Sequence, residues 1–400
     1  MHRRVKIVFH FVVTFCLHWI ATRAGAEDHA DYRFELYQED NNRITVTTHS
    51  ALFDLTISPH LQLNGEYVAD SISGATPTGA APPNQYHYLS DADLGLPPGT
   101  LPPGTITGNT NSSAVPLTQM HDFRQSASLQ GTISFGRHHF TPQLSYSEES
   151  DYVSIGTALN YSLDLNEKNT TLNLGWSRST DRAIDDLGKW RDKISDDFLI
   201  GFNQLLGPKT FLTFNFTYGH SDGYLNDPYR IIVAANAPQT DANNPSGIYE
   251  RRPSQRDKFI AYTSLTQFIT PLHGSLEGSY RLYHDTFGVT AHTVSLAWYQ
   301  KIGESLVLSP SFRYSRQSAA DFYYEILPDI NNVPKYFSPD YRLSEYQTFT
   351  YGLTLNWKVQ KWLSIDAGYK RYIMEGLDNV TSKAAYPSAN VFTVGARIWF

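Results

Sequence analysis

Cysteine occurs only once in this chain, at Cys16. The residues before it, Val13-Thr14-Phe15, are not the small residues of a lipid-attachment site. Removal of the N-terminal segment argued below leaves no thiol. Disulfides, thiolate metal ligands and a cysteine nucleophile are then excluded. Long apolar runs are also missing: beyond residues 7–20 nothing approaches the ~20 residues a spanning helix needs. No sustained helical period follows residue 26. There is no phosphate-binding glycine loop, no Gly-x-Ser-x-Gly elbow and no His-Glu-x-x-His pair. A basic balance is absent as well: the formal net charge is −7, which argues against nucleic acid as a partner.

What is present begins with an export signal at residues 1–26. His2, Arg3, Arg4 and Lys6 form a basic start, Ile7 to Ile20 an apolar core, and Ala24-Gly25-Ala26 a small-x-small cleavage site. The apolar stretch is short for a membrane anchor and is interrupted by His18. Loss of Arg3, Arg4, Lys6 and Arg23 with the signal takes the net charge from −7 to −11. Residues 27–400 then form one unit. Their aromatic content is high, at 14% of the whole chain, while the mean hydropathy is −0.37. That combination suits hydrophobicity spread over alternating positions.

The alternation is explicit. Leu172, Leu174 and Trp176 oppose Thr171, Asn173 and Gly175. Phe349, Tyr351, Leu353, Leu355 and Trp357 oppose Thr350, Gly352, Thr354, Asn356 and Lys358. Period two sustained over ten residues marks strands longer than the ~5–6 of soluble sheets and close to the ~9–11 of tilted membrane strands. Connections alternate too. Tight turns lie near Ser58-Pro59, Gly136-Arg137-His138, Asn166 to Asn169, Gly207-Pro208-Lys209, Pro271-Leu272-His273, Gly303-Glu304 and Gln360-Lys361. Long polar connections span 73–120, 180–194, 223–255, 318–343 and 375–389.

These signals predict an all-β transmembrane antiparallel up-and-down barrel with short periplasmic turns and long extracellular loops. Strands are expected near 31–38, 43–57, 60–72, 121–135, 139–149, 151–165, 170–180, 195–206, 210–222, 256–270, 273–285, 289–302, 305–318, 344–359, 362–374 and 390–400. That is sixteen; fourteen, with residues 27–42 as an arm, is the alternative. Pro142 and Pro310 are expected at strand ends or bulges.

The C-terminus Thr393-Val394-Gly395-Ala396-Arg397-Ile398-Trp399-Phe400 resembles the signal by which the bacterial outer-membrane assembly machinery recognises unfolded barrels, with Thr393, Gly395, Ile398 and Phe400 at its marked positions. Further resemblance lies in Tyr37-Gln38-Glu39-Asp40, Arg43-Ile44-Thr45-Val46, Tyr67 to Ala75 and Tyr146 to Tyr152. These segments, above all Asp70-Ser71-Ile72-Ser73-Gly74-Ala75, resemble an uncharacterised family of bacterial exported proteins (a domain of unknown function) expected to form outer-membrane barrels. The resemblance implies fold and outer-membrane localisation but no activity. Members lie near genes for thioredoxin-like and flavin-transfer proteins, which implies a periplasmic redox context.

Candidate chemistry is sparse. Segment 73–120 is rich in glycine and proline (Pro77, Pro82, Pro83, Pro97, Pro98, Pro102 and Pro103) and repeats Leu-Pro-Pro-Gly-Thr at 96–100 and 101–105. It reads as an exposed extended loop, a lumen constriction or a surface-binding loop. Segment 178–197 interleaves Asp181, Asp185, Asp186, Asp192, Asp196 and Asp197 with Arg178, Arg182, Lys189, Arg191 and Lys193. It reads as a solvated charged loop, or one suited to lipopolysaccharide phosphates, and lacks calcium-loop spacing. Arg124, Glu277, Arg281, Arg313, Lys358 and Arg397 fall on expected lumen faces, either tuning ion selectivity or paired in a plugged interior. Trp176, Trp298, Trp357, Trp362 and Trp399 are candidate interfacial aromatics. Fourteen histidines are present, with His138-His139 at an expected turn, but none has ligand spacing.

No catalytic, cofactor or metal residues are therefore assigned, and the expected role is non-enzymatic. The chain reads as a passive pore, or a platform for a periplasmic or surface partner. A plugged component of an export or redox system and a barrel hydrolase are the alternatives. Expected partners are outer-membrane lipid, lipopolysaccharide and the barrel assembly machinery.

Overall fold

The computed structural model describes residues 28–79, 87–88, 106–107, 115–234 and 247–400. The expected export signal at 1–26 and most of the Pro/Gly-rich loop lie outside the described residues. The wall is a closed antiparallel barrel of sixteen strands. In chain order these are β1 His29–Glu39, β2 Ile44–Ser58, β3 Leu61–Pro77, β4 Leu117–Phe135, β5 His138–Glu148, β6 Tyr152–Leu165, β7 Thr170–Ile184 and β8 Trp190–Gly207. They continue with β9 Thr210–Gly223, β10 Gln255–Ile269, β11 Gly274–Asp285, β12 Thr290–Ile302, β13 Leu306–Gln317, β14 Tyr346–Gln360, β15 Leu363–Gly376 and β16 Ser388–Trp399. Closure joins β1 to β16, from His29 opposite Trp399 to Glu39 opposite Ala389. Every strand therefore has two partners, and no edge is left with free N–H and C=O groups, as hydrocarbon requires.

The strands are tilted, as closure demands. From Phe34 in mid-β1 the register passes through His49, Ala69, Gln125, Glu148, Val153 and Arg182 to Asp192. It thus reaches the outer end of β8 in seven steps. The connections of one rim are all tight; the other rim carries the long ones, 78–116, 224–254, 318–345 and 377–387, together with short ones at 40–43, 149–151, 185–189 and 286–289. Backbone at Asn166, Glu167, Lys168 and His273 turns through positive φ to keep two periplasmic turns tight.

One side of each strand presents large apolar residues outward. Leu144 is 64% exposed, Ile200 57% and Val394 53%. A belt of that kind is unstable in water and calls for lipid. The opposite faces are polar and line the lumen. Pro142 and Pro310 sit within β5 and β13 rather than at ends. The ladder lapses beside each: between Gln130–Gln143 and Ile133–Phe140, and between Ala297–Ser311 and Gln300–Leu308. Each proline turns its missing donor to that side, so the strand continues through it.

Two segments expected as loops are wall instead. Residues 180–194 extend β7 and β8 outward as a hairpin whose register runs to Ile184 opposite Trp190. The stems of segment 73–120 are strand as well, to Pro77 and from Leu117.

The fully buried apolar residues do not line the wall; most lie in the outer connections. Phe287, Val289, Ala320, Phe322 and Leu343 form one cluster. Ile232, Ala234, Leu327 and Phe337 form a second, and Tyr341, Met374, Ala385 and Tyr386 a third, against which Val115 packs. Short pairings hold this cap together: 231–234 with 248–249 and with 326–327.

Candidate functional site

The cap is organised around Asp340, which is 1% exposed. Arg342 Nη2 reaches its carboxylate at 2.6 Å and Arg252 Nη2 at 2.9 Å, with Arg230 Nε at 3.8 Å. Burial alone would raise this carboxyl, but the Arg342, Arg230 and Arg252 guanidiniums outweigh it and hold it well below the usual carboxylate range. Glu250 accepts from Ser338 Oγ and from Arg252 Nη2, the latter at 3.0 Å. Arg230 donates to the Pro77 carbonyl, and Ile231 N–H to Thr78 O at 3.1 Å. The base of the Pro-rich loop is thereby tied to the cap.

Beneath the cap lies a cavity of about 690 Å³. Its wall comes from the lumen faces of β10 to β15, and Arg342 and Leu343 of the cap complete it. The sequence-predicted residues Glu277, Arg281 and Arg313 meet here, joined by Lys370, Arg256 and a band of hydroxyls. Arg256 is neutralised by Asp285, with Nε at 2.9 Å from Oδ2. Glu277 accepts from Tyr299 Oη at 3.1 Å. Arg281 lies over the Tyr283 ring at 5.4 Å. No carboxylate of the described residues pairs with Arg281, Arg313 or Lys370. Lys370 was missed in the sequence, although extending the alternation along 363–376 places it opposite the outward Tyr369.

The other lumen candidates lie elsewhere. Arg124 donates through Nε to Asp70 at 2.7 Å, and Arg397 grips Asp31 with contacts of 2.7 and 2.6 Å. Lys358 follows the outward Trp357 near the periplasmic end of β14. Among the aromatics, Trp176, Trp298 and Trp357 occupy the outward face, and Trp362 is exposed in a periplasmic turn. Trp399 does not belong with them. It shares the lumen face with Arg397, whose guanidinium lies 5.7 Å from its ring centroid, because residues 397 and 399 have the same parity. In the outer half, outward tyrosines supply polar tips: Tyr146 to Glu148, Tyr218 to Asp257, Tyr280 to His292 and Tyr314 to Gln347. Reading tyrosine as well as tryptophan would have found this girdle.

Most charges of segment 178–197 are cross-paired. Arg178 pairs with Asp196 at 2.9 Å, Lys193 with Asp181 at 3.0 Å, Arg191 with Asp185 at 2.7 Å and Arg182 with Asp192 at 3.5 Å. Of the C-terminal positions, Ile398 faces outward, Thr393 and Gly395 face the lumen, and Phe400 N–H donates to Asp28 O at 3.1 Å.

Two constellations resemble chemical sites. Ser134 Oγ lies 2.8 Å from His139 Nδ1, and His139 Nε2 lies 3.1 Å from Asp164 Oδ2. Asp164 also accepts from Thr171 at 2.8 Å, so the row is a cross-strand polar ladder. Ser134 N–H is committed to His60 O at 2.9 Å. The paired strand therefore does not offer the convergent donors that stabilise an oxyanion. At the outer rim Asp122, Glu149 and Asp151 bring carboxylate oxygens within 4.8 Å of one another. Burial, with Asp122 beside it, raises the Glu149 carboxyl, and Tyr229 Oη donates to Asp151.

A closed sixteen-stranded wall, apolar outside and polar within, defines an outer-membrane β-barrel. The chain belongs to the family described as "Protein of unknown function (DUF3570)", whose model matches residues 17–195 and 182–391. No curated protein matches. Among solved structures it is similar to CdiB from Acinetobacter baumannii, with TM-score 0.50 and 8% identity over 94% of this chain and 61% of that one. It is also similar to the siderophore receptor PirA from Pseudomonas aeruginosa, with TM-score 0.43 and 10% identity over 94% of this chain and 62% of the receptor. The OmpT loop-deletion mutant of Vibrio cholerae, an outer membrane protein, gives TM-score 0.42 and 10% identity over 94% and 98% of the two chains. The chain thus spans about three fifths of the CdiB and PirA chains. The CdiB likeness bears on the fold alone.

Proposed function

We propose that the protein is a passive outer-membrane channel for small hydrophilic solutes, throttled at its outer mouth by the cap. One observation carries this reading: a cavity of about 690 Å³, lined in part by Arg281, Arg313, Lys370 and hydroxyls, persists in the lumen directly beneath the loop-built core. A barrel whose sole task is structural has no need to keep a hydrated chamber lined by solvated cations. The cap, cemented by the Asp340 cluster, narrows the passage on this reading. On this reading no catalytic group is required, and the neighbours are lipid, lipopolysaccharide and the assembly machinery that reads the C-terminal strand.

Single-channel recording tests it. The folded protein in a planar bilayer gives small, discrete conductance steps, and removing residues 326–337 of the cap enlarges them several-fold. Silence from both proteins, each folded, would overturn the channel and leave a plugged barrel.

A further inference from the structure

We propose that the chamber beneath the cap is a binding site for small multivalent oxyanions, compounds carrying two or three carboxylate or phosphate groups. This deepens the channel reading and rests on it only for how the anion reaches the chamber.

The observation behind it is an imbalance of charge. Elsewhere around the lumen, several cations are matched across strands: Arg124 with Asp70, Lys193 with Asp181, Lys258 with Asp197, and Arg397 with Asp31. Lys301 and Lys358, towards the periplasmic end, have no ion pair to a described residue but do not line the chamber. In the chamber, Arg281, Arg313 and Lys370 face water with no ion pair to a described residue. Arg342 and Arg256 also line it but are neutralised by Asp340 and Asp285. Among the described residues, Glu277 is the only carboxylate lining the chamber.

The register explains why the three cations act together. Arg281 stands on β11, Arg313 on β13 and Lys370 on β15. The intervening strands place small residues beside them: Thr293 opposite Arg281, Ser295 and Thr350 opposite Arg313, and Gly352 opposite Lys370. Neighbouring members of the three are two strands and two residues of register apart, roughly 12 Å at the backbone, and Arg281 and Lys370 about twice that. Their long arms can converge over the low ground between them. A polyatomic anion can hold two such arms at once, each on its own oxygen. Guanidinium forks favour the paired oxygens of carboxylate and phosphate, and the neighbouring hydroxyls add donors. The confined lumen strengthens the field relative to open water.

Calorimetry on the full-length barrel folded in detergent tests the site, with citrate and inorganic phosphate as probes and chloride as the supporting ion. Citrate binds saturably, phosphate binds more weakly, and both weaken as sodium chloride rises. The double variant Arg281→Gln/Arg313→Gln lowers citrate affinity at least tenfold, while Arg397→Gln, at the periplasmic mouth, changes it less than twofold. Retention of the compact, heat-modifiable form on gels shows that each variant is folded. Equal citrate affinity in wild type and double variant, or no saturable binding to the wild type, overturns the proposal. Because calorimetry needs no current, binding without conductance would remove the channel and keep the site. Conductance without binding would do the reverse.

Discussion

At the residue scale the family-like run Asp70 to Ala75 has a physical basis. Asp70 receives Arg124. Gly74 holds φ at +125°, and a Cβ there would stand 1.7 Å from the Arg43 carbonyl oxygen. That carbonyl accepts from Ala75 N–H at 3.0 Å, so backbone approaches backbone and only glycine fits. Gly395 is similar in kind: a Cβ would meet Asp366 Oδ1 at 2.4 Å, on the lumen face where Asp366 faces Arg33. Gly74→Ala is therefore expected to destabilise the barrel by about 1–3 kcal/mol. Gly278→Ala, whose Cβ would make an ordinary 3.5 Å contact with Leu296, should be close to neutral. Urea midpoints of the two variants, followed by tryptophan fluorescence, check this; equal midpoints would refute the close-approach account.

At the scale of elements, the cap and the wall are held by different forces. Wall strands are secured by long ladders, which lapse beside Pro142 and Pro310. The cap depends on a few buried charges and small apolar clusters. Asp340→Asn leaves the Arg342, Arg230 and Arg252 guanidiniums without their shared partner, at a cost of about 3–5 kcal/mol. The expected outcome is rapid proteolysis within 318–345 while the barrel stays heat-modifiable. A second contact is pH-sensitive. Glu325 is pushed up to about 7, chiefly by burial and further by Asp378, against the Ser382 N–H that it accepts. Its folded value exceeds the unfolded one, so its contribution is fully present below pH ~4.5 and is lost as pH rises through 7. Hydrogen-exchange protection in 377–387, taken relative to the intrinsic base-catalysed rate at each pH, should be lower at pH 8 than at pH 5, and Glu325→Gln should remove most of that difference. Protection independent of pH in the wild type would contradict the assignment.

How much could be foreseen differed sharply between these elements. The sixteen wall strands are legible because period two repeats locally, as at 348–358, and lumen parity follows from it for Arg281, Arg313 and Arg397. The outward extent of β7 and β8 was hidden because their charges look like loop charges until they are paired across the hairpin. The cap was not legible at all. Its bonds join Glu250 to Ser338, Arg230 to Pro77 and Tyr323 to Thr381, distant in sequence and without any local period. The chamber was half legible: parity finds its cations one by one, but only the register shows that three of them share a space.

At the scale of the whole molecule, the barrel separates its tasks. The wall supplies an apolar exterior and a polar interior, and the outer connections supply most of the buried apolar clusters. The claim on which the rest depends is that side chains alternate between lipid and water around a closed cylinder. Spin labels placed singly along β14 at positions 349 to 358, in reconstituted bilayers, test it most directly through collision with oxygen and with a water-soluble nickel complex. Odd positions should favour oxygen and even positions nickel, with opposite phases at a period of two. Equal access of both reagents along the strand, or oxygen and nickel peaking at the same positions, would contradict it.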